Sequence, residues 1–292
     1  MNIFYFNINY TCNSNCVFCY SHNTIHTGHR FNEIEPEDFV DYLRQNRIQE
    51  TDRVIINGGE PFLHSKIIEI LKSLLEFGCE VLIYTNGRCL KDYDFNFITN
   101  NYRFIIPVHG HKKLHDNITR CQGSYEEMNK GIKHLNKYHC KVDIKIILNP
   151  QMVSSIIDFE KTLKEIDSLD YNNAVHITKM ADTIVSRKNG IPSVSNDMAS
   201  TYTNLLFKHF SYKGTIVKIF DTCVKDIEVV DYENVIVPLK VHFKDSVTSW
   251  IFTQYTPDME CRAGCSKKLY CKSAVGNFTV LEYNGRFYQG IE

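Results

Sequence analysis

The chain has 292 residues, of which 43% are hydrophobic and 23% charged, with a formal net charge of −1 at pH 7. This composition is that of a globular protein with one substantial core, or with a large domain and a small companion domain. The near-neutral charge gives no electrostatic basis for binding nucleic acid or an acidic membrane. No apolar run reaches the roughly 18–20 residues that span a bilayer. The first residues also lack the basic segment and cleavage site of a signal peptide, so we expect a cytoplasmic protein.

Short apolar segments alternate with longer amphipathic segments through the first two thirds of the chain. The predicted strands are 2–10, 53–58, 80–87, 103–110, 141–148 and 174–179. The predicted helices are 36–47, 64–77, 124–138, 153–168 and 195–211. Strands separated by helices of this length indicate βαβ units with a parallel sheet. Six strands predict an α/β fold of the partial (β/α)6 barrel type, too few for the closed eight-stranded barrel.

The pattern changes near residue 213. From there the chain is irregular and rich in β-forming residues, and Asn284-Gly285 is a hairpin signal. We therefore predict two domains, a barrel over residues 1–212 and a small β-rich domain over residues 213–292.

Eleven cysteines are the unusual feature of the composition. In a reducing compartment, metal ligation or free thiols are favoured over disulfides. Cys12, Cys16 and Cys19 form a C-x3-C-x2-C motif directly after the first predicted strand. The carboxyl end of a strand is where α/β folds place their chemistry, so this loop is a candidate metal site.

The number of cysteines in the motif favours one kind of metal site. A [4Fe–4S] cluster takes four cysteine ligands, so a cluster held by three keeps one iron open to another ligand. Zinc is the alternative, since it binds four protein ligands or three and a water, and His22, His26 or His29 could supply the fourth.

With the aromatic Phe18 before its last cysteine, the motif resembles the signature of the radical S-adenosylmethionine (SAM) superfamily. The resemblance implies that Cys12, Cys16 and Cys19 hold a [4Fe–4S] cluster whose open iron binds the amino and carboxylate groups of SAM, with Phe18 beside the cofactor. It also implies that the reduced cluster cleaves SAM, and that a 5′-deoxyadenosyl radical then abstracts hydrogen from the substrate.

Two further motifs look like those of the same family. Gly58-Gly59-Glu60-Pro61 follows the second predicted strand and resembles the motif that binds the SAM amino group. Glycines allow the backbone to approach a ligand closely, and Glu60 can accept a hydrogen bond from an ammonium group. A glycine turn before a capped helix is the structural alternative. Asn86, after the third strand, is expected to help shape the SAM pocket, although a bare turn also explains it.

The segment after the fourth predicted strand resembles relatives that modify peptides. His115-Asp116 and Gly123-Ser124-Tyr125 follow that strand, as similar stretches do in those relatives. Pro107 stands where they often have a serine, which puts a ribose contact there in doubt, and His109 is the candidate to replace it. Arg120 is a candidate for binding the SAM carboxylate, or else a solvated surface arginine.

A second group of cysteines lies in the predicted C-terminal domain. Cys223, Cys261, Cys265 and Cys271 resemble the auxiliary iron–sulfur domains called SPASM or Twitch, although their spacing departs from the usual SPASM pattern. They could hold one auxiliary [4Fe–4S] cluster, or a zinc ion. Cys223 has two interpretations, as the fourth ligand of this cluster or as a catalytic thiol that returns a hydrogen atom to the substrate.

The resemblance leads to a hypothesis about the substrate. By analogy of fold and motif, we expect a ribosomally synthesised peptide that is epimerised or crosslinked, with a flavodoxin or ferredoxin as the reducing partner. Oxidation of a small metabolite is the alternative for an enzyme. A non-catalytic iron–sulfur or zinc protein that transfers electrons or senses oxygen is the alternative outside catalysis.

Overall fold

Parallel strands form the centre of the protein. The computed structural model describes residues 1–19, 33–220, 241–245, 249–257 and 275–283. The described strands are β1 (Ile3–Asn7), β2 (Arg53–Asn57), β3 (Glu80–Tyr84), β4 (Tyr102–Val108), β5 (Lys141–Leu148), β6 (Ala174–Lys179), β7 (Ile216–Phe220), β8 (Val241–Asp245), β9 (Ser249–Pro257) and β10 (Val275–Tyr283). They form one sheet in the order β10-β9-β8-β1-β2-β3-β4-β5-β6-β7. From β1 to β7 every neighbouring pair is parallel.

Helices connect most consecutive strands of the parallel part, and β3 and β4 are joined through the 3₁₀ turn Leu90–Asp92. The described α-helices are α1 (Pro36–Gln45), α2 (Ile67–Ser73), α3 (Lys112–Thr119), α4 (Ser124–Lys137), α5 (Pro150–Val153), α6 (Ile156–Asp167), α7 (Ile184–Lys188) and α8 (Asn196–Tyr212). A parallel pair of strands needs such a crossover, which brings the carboxyl ends of all these strands to the same edge of the sheet.

The predicted βαβ pattern is confirmed for β1 to β6 and for the five predicted helices. The difference is at β7, which the sequence assigned to the second domain but which pairs in parallel with β6. β7 therefore adds a seventh parallel strand to the six that were predicted. Helix α3 was not predicted, because its sequence KKLHDNIT offers only Leu114 and Ile118 as apolar residues.

The strands after residue 240 extend the sheet at its other edge. β8 pairs in parallel with β1, β9 is antiparallel to β8, and β10 is antiparallel to β9. A separate domain over residues 213–292 stays a prediction. Cys223, Cys261, Cys265 and Cys271 lie outside the described residues.

The two faces of the parallel sheet have different surroundings. Alternate strand residues such as Phe4, Ile56 and Phe104 are fully buried and share one hydrophobic core with residues of the helices. The residues between them, such as Tyr5 and Arg53, are only partly buried. Because side chains alternate along a strand, the helices cover one of the two faces.

Candidate functional site

The loop that carries the cysteine motif leaves the carboxyl end of β1. Cys12, Cys16 and Cys19 are partly buried in this loop and form no disulfide. Burial raises the pKa of Cys12 to about 12. The hydrogen bond from the N–H of Ser14 lowers this pKa, whereas the charges of Glu60 and Cys19 raise it. Burial, Cys19 and Cys12 likewise raise the pKa of Cys16. The three sulfur atoms are therefore close enough to oppose one another's ionisation, and a bound cation would relieve that repulsion.

The chemistry of these donors suits an iron–sulfur cluster, which is bound by cysteine thiolates. Across the part of the chain that the structure describes, no three His, Cys, Asp or Glu side chains converge in the arrangement that holds a metal ion. Ligation by Cys12, Cys16 and Cys19 therefore stays a prediction, supported by the donor type and by their mutual electrostatic effect.

Backbone hydrogen bonds fix the middle of the cysteine loop against helix α3. The N–H of Asn15 donates to the carbonyl of Thr119 over 3.0 Å, and that of Val17 donates to Ile118 over 2.9 Å. The side chain of Asn189, at the end of α7, donates to the carbonyl of Val17 over 2.8 Å. The loop is thus held by two helices that follow it by about 100 and 170 residues in the sequence.

Arg88 holds the start of the same loop, and the sequence did not single it out. Its guanidinium donates to the carbonyl of Asn13 and, over 3.0 Å, to the hydroxyl of Ser14. Glu127 accepts a further hydrogen bond over 2.7 Å, and the Arg88 side chain is 9% exposed. Arg88 is thereby a positioning residue for the loop between Cys12 and Cys16.

We expect Arg88→Met to weaken metal binding without preventing folding. The change removes charge-assisted hydrogen bonds to the loop, which together contribute about 2 kcal/mol. The loss of iron from the reconstituted protein to a chelator should accelerate, while the far-ultraviolet circular dichroism stays unchanged. Arg44→Met, which removes an exposed ion pair with Glu76, is the matched control and should leave iron retention as it is. Equal retention in both variants would contradict the role given to Arg88.

The two glycines after β2 approach the chain itself. The N–H of Gly59 donates to the carbonyl of Asn9 over 3.0 Å, and the N–H of Glu60 to that of Thr11 over 2.8 Å. A Cβ at Gly58 would lie 2.5 Å from the Asn9 carbonyl oxygen, and one at Gly59 would lie 2.3 Å from that of Thr11. The glycines therefore allow the backbone after β2 to contact the segment that leads into the cysteine loop. From the sequence, a ligand was expected to occupy this position.

The carboxylate of Glu60 joins the ends of β2 and β3. One oxygen accepts hydrogen bonds from the Thr85 hydroxyl over 2.6 Å and the Phe62 N–H over 3.1 Å, and the other accepts from the Asn86 N–H over 2.7 Å. Burial raises the pKa of Glu60, while these three donors act in the opposite direction. The bond to Phe62 caps the 3₁₀ turn Pro61–Leu63, so the structural role that the sequence left open for Glu60 is present.

Asn86 connects this group to the cysteine loop. Its side-chain amide donates to the side-chain oxygen of Asn13 over 2.6 Å. The Asn13 amide in turn donates to the sulfur of Cys89 over 3.3 Å. The structure thus brings together the predicted residues Glu60 and Asn86 with the cysteine loop, and it adds Cys89, to which the sequence gave no role.

His109 follows β4 and lies beside Phe18 of the cysteine loop. The two rings meet edge to face with centroids 5.2 Å apart, and the ring of His115 stacks on that of His109 with centroids 5.1 Å apart. Burial, with the nearby His115 and Lys145, lowers the pKa of His109 well below its usual value. Nδ1 of His109 has no hydrogen-bond partner among the described residues. A neutral imidazole with an unused nitrogen is therefore buried next to the loop.

Phe18 and Arg120 have structural contacts of their own. Phe18 is buried against Ile118 and Met180. Arg120 ends helix α3 in the left-handed conformation, and its guanidinium donates to the side-chain oxygen of Asn189 over 2.6 Å. Since Asn189 holds Val17, Arg120 supports the loop indirectly. The predicted contacts of Phe18 and Arg120 with SAM are not tested by these interactions and stay predictions.

The His-Asp and Gly-Ser-Tyr stretches meet in a helix cap. The buried carboxylate of Asp116 accepts hydrogen bonds from the N–H of Gly123 over 2.8 Å, the hydroxyl of Ser124 over 2.9 Å and the N–H of Tyr125 over 2.9 Å. These donors lie at the start of α4, whose first N–H groups have no partner within the helix. Asp116 therefore joins α3 to α4, and this joint fixes the helix end on which the cysteine loop rests.

We expect Asp116→Ala to lower stability. The change leaves the N–H groups of Gly123 and Tyr125 without their acceptor and takes one partner from the Ser124 hydroxyl, so the free energy of unfolding should fall by about 3 kcal/mol. Chemical denaturation followed by circular dichroism measures it. In Asp94→Ala, which removes the exposed acceptor of the Asn96 N–H, the fall should stay within about 0.5 kcal/mol. A loss at Asp116 as small as that at Asp94 would show that the cap is not stabilising.

No helix in the described ranges is both long enough and apolar enough to cross a bilayer.

Comparisons with known proteins agree on one family. The family model described as "Radical SAM superfamily" matches residues 6–166. A Methanocaldococcus jannaschii protein named for the activation of glycyl-radical enzymes is 24% identical over 157 residues, which cover 54% of this chain and 59% of that protein. The AdoMet-dependent heme synthase of Methanosarcina barkeri is 23% identical over 164 residues, which cover 55% and 46%. The chain thus spans about half the length of these relatives.

Solved structures share the fold at lower identity. Streptococcus suis SuiB bound to S-adenosylmethionine superimposes with a TM-score of 0.60 at 13% identity, covering 93% of this chain and 66% of SuiB. The structure of anSMEcpe with bound AdoMet gives a TM-score of 0.56 at 13% identity, covering 75% and 64%. At such identities the likeness establishes the fold alone.

Proposed function

This chain belongs to the radical SAM superfamily, and on that basis we propose that it cleaves SAM reductively and modifies a ribosomally synthesised peptide by epimerisation or crosslinking. The observation that carries the proposal is the grouping of Glu60, Asn86 and the cysteine loop at the carboxyl edge of the sheet. The family implies a [4Fe–4S] cluster and SAM. When bound, they supply a 5′-deoxyadenosyl radical able to take a hydrogen atom from carbon.

In this proposal Cys12, Cys16 and Cys19 hold the cluster and Glu60 binds the SAM amino group. A carboxylate has about four acceptor positions, two on each oxygen. The Thr85 and Phe62 donors use both positions on one oxygen of Glu60, and the Asn86 N–H uses one on the other. One position is left for an ammonium hydrogen, and the ammonium charge would stabilise the buried carboxylate.

Other residues of the site would orient SAM and exclude water. Gly58 and Gly59 keep Glu60 next to the cysteine loop, and Asn86 keeps the loop in place. His109 offers its unpartnered Nδ1 to a ribose hydroxyl, in place of the serine that Pro107 replaces. Phe18 covers the loop on the side of His109, and Arg120 is the proposed partner of the SAM carboxylate.

The peptide is proposed from similarity. SuiB, whose fold this chain shares, has been solved bound to the precursor peptide SuiA, with a TM-score of 0.59. The His-Asp and Gly-Ser-Tyr stretches add little support, because Asp116 has a structural role. A flavodoxin or ferredoxin is the proposed reductant. The names of relatives such as the heme synthase favour a small metabolite as the second candidate.

An auxiliary [4Fe–4S] cluster is proposed as well, with a zinc ion as the alternative. Its proposed ligands are Cys223, Cys261, Cys265 and Cys271. The iron and sulfide content of Cys223→Ala separates the two roles of that residue. If the variant lacks about one four-iron cluster, Cys223 is a ligand of that cluster. Full content with lost turnover would identify a hydrogen-atom donor.

Anaerobic reconstitution tests the function itself. The protein, reconstituted with iron and sulfide, is incubated with SAM and dithionite, and the products are separated by liquid chromatography. We expect 5′-deoxyadenosine from the wild type and none from a variant with alanine at Cys12, Cys16 and Cys19. Because an electron carrier or oxygen sensor does not cleave SAM, the absence of 5′-deoxyadenosine from a cluster-loaded wild type would refute the proposal.

A further inference from the structure

The segment that follows β3 holds the start of the cysteine loop. The side-chain amide of Asn86 donates to the side-chain oxygen of Asn13 over 2.6 Å, and the Asn13 amide donates to the sulfur of Cys89 over 3.3 Å. The guanidinium of Arg88 donates to the carbonyl of Asn13 and, over 3.0 Å, to the hydroxyl of Ser14. Both the side chain and the backbone of Asn13 are therefore fixed by this one segment.

The segment is itself fixed to its surroundings. The side-chain oxygen of Asn86 accepts from the N–H of Arg88 over 3.0 Å, and the N–H of Asn86 donates to the buried carboxylate of Glu60 over 2.7 Å. The carboxylate of Glu127 accepts from the guanidinium of Arg88 over 2.7 Å. The position of Asn13 is therefore tied to Glu60 after β2 and to Glu127 of helix α4.

A backbone donor next to Asn13 reaches the sulfur of the first cysteine of the motif. The N–H of Ser14 donates to the sulfur of Cys12 over 3.4 Å. Asn13 is the residue between the two, so the contacts that fix Asn13 also fix the direction of this N–H. In the proposed site Cys12 is a ligand of the cluster, and hydrogen bonds to the sulfur atoms of a cluster are among the factors that set its reduction potential.

A hydrogen bond to a ligand sulfur favours the reduced cluster. Reduction adds one electron, and this negative charge is shared with the sulfur ligands. An N–H group that points at a sulfur stabilises the charge, as charge-assisted hydrogen bonds do, and so raises the reduction potential. Less reducing power is then needed from the electron donor.

We propose that Asn13 is a positioning residue that directs the Ser14 N–H at the Cys12 sulfur and thereby raises the reduction potential of the N-terminal cluster. Asn86 and Cys89 act through Asn13, because each holds one end of its side-chain amide. The inference rests on the proposed function, since it needs a cluster on the cysteine loop, and it goes beyond that function by assigning residues that set the potential of the cluster.

The midpoint potential of Asn13→Ala tests the proposal. The change removes both side-chain hydrogen bonds of Asn13, while the bond from Arg88 to its carbonyl remains. The full chain is reconstituted anaerobically with iron and sulfide, and a redox titration is followed by electron paramagnetic resonance. The signal of the N-terminal cluster is the one that is lost when Cys12, Cys16 and Cys19 are all replaced by alanine.

We expect the equilibrium constant for one-electron reduction to be about tenfold lower in Asn13→Ala than in the wild type. This is a fall of about 59 mV in midpoint potential, the size expected for one hydrogen bond to a charged group. The iron content should be that of the wild type. Asn172→Ala is the matched control, because it removes three side-chain hydrogen bonds at the amino end of β5 and should leave the potential as it is.

Cys89→Ala decides the matter if Asn13→Ala takes up no iron. It removes only the acceptor of the Asn13 amide, so the potential should fall in the same direction by a smaller amount. An unchanged potential, an equal fall in Asn172→Ala, or a failure of both variants to take up iron would overturn this inference alone. A wild type that carries the cluster but releases no 5′-deoxyadenosine would instead overturn the proposed function, and a wild type without a cluster on the cysteine loop would overturn both.

Discussion

Replacing Cys12, Cys16 or Cys19 singly by serine is expected to abolish SAM cleavage. Each change removes one of the three proposed thiolate ligands. Hydrogen bonds hold the loop in one conformation, so the loop cannot rearrange to supply another ligand. Changing a residue that merely supports a metal ligand commonly costs 10–100-fold in activity, so loss of a ligand should lower the rate by more than about 100-fold. The measurements are iron content and the rate of 5′-deoxyadenosine release.

Cys140→Ser is the matched control for these variants. Cys140 is also a free thiol, 2% exposed, but it packs in the hydrophobic core at the amino end of β5. Its replacement should lower stability while leaving the iron of the N-terminal cluster in place. The interpretation of the motif would be wrong if a serine variant of the loop kept both its iron and its activity.

Gly59→Ala is expected to have the second largest effect. Its Cβ would lie 2.3 Å from the carbonyl oxygen of Thr11, a backbone atom that cannot move without the cysteine loop. Overpacking of this kind costs about 3 kcal/mol, and here the strain falls on the hydrogen bond that joins Glu60 to Thr11. We expect a lower free energy of unfolding together with poor incorporation of iron.

Gly214→Ala provides the comparison for Gly59→Ala. Gly214 has a left-handed φ of +73°, and no atom lies within 4 Å of the position of a Cβ. Alanine there costs only the strain of the left-handed conformation, about 1 kcal/mol, and should not affect iron incorporation. If Gly59→Ala and Gly214→Ala lost the same stability and bound the same iron, close packing at Gly59 would not explain the motif.

The order of strands and helices could be predicted because each strand of the parallel sheet is a short apolar run between helical patterns. Helix α3 was not predicted, because the buried carboxylate of Asp116 holds it in place and its sequence has no apolar stripe. The pairing of β7 with β6 was not predicted, because an apolar run such as IVKIF does not reveal which strand it pairs with.

The cysteine motif could be singled out because its cysteines are close together in the sequence, and Glu60 because two glycines precede it; their roles stay predictions. Arg88 and Asn189 were not, since they contact the loop across 75 and 172 residues and have no distinctive neighbours in the sequence. The sequence also assigned the space beside Gly59 to a ligand, whereas the nearest atoms belong to Thr11. Glycines indicate a close approach, but only the fold identifies the neighbour.

Electron–nuclear double resonance on the reduced cluster tests the central claim most directly. The protein is reconstituted anaerobically and reduced, and SAM labelled with ¹⁵N at its amino group is added. We predict a ¹⁵N coupling to the cluster, because in the proposed site three cysteine ligands keep one iron open to that group. The absence of the coupling in a protein shown to contain the cluster, or zinc in place of iron at the cysteine loop, would contradict the account.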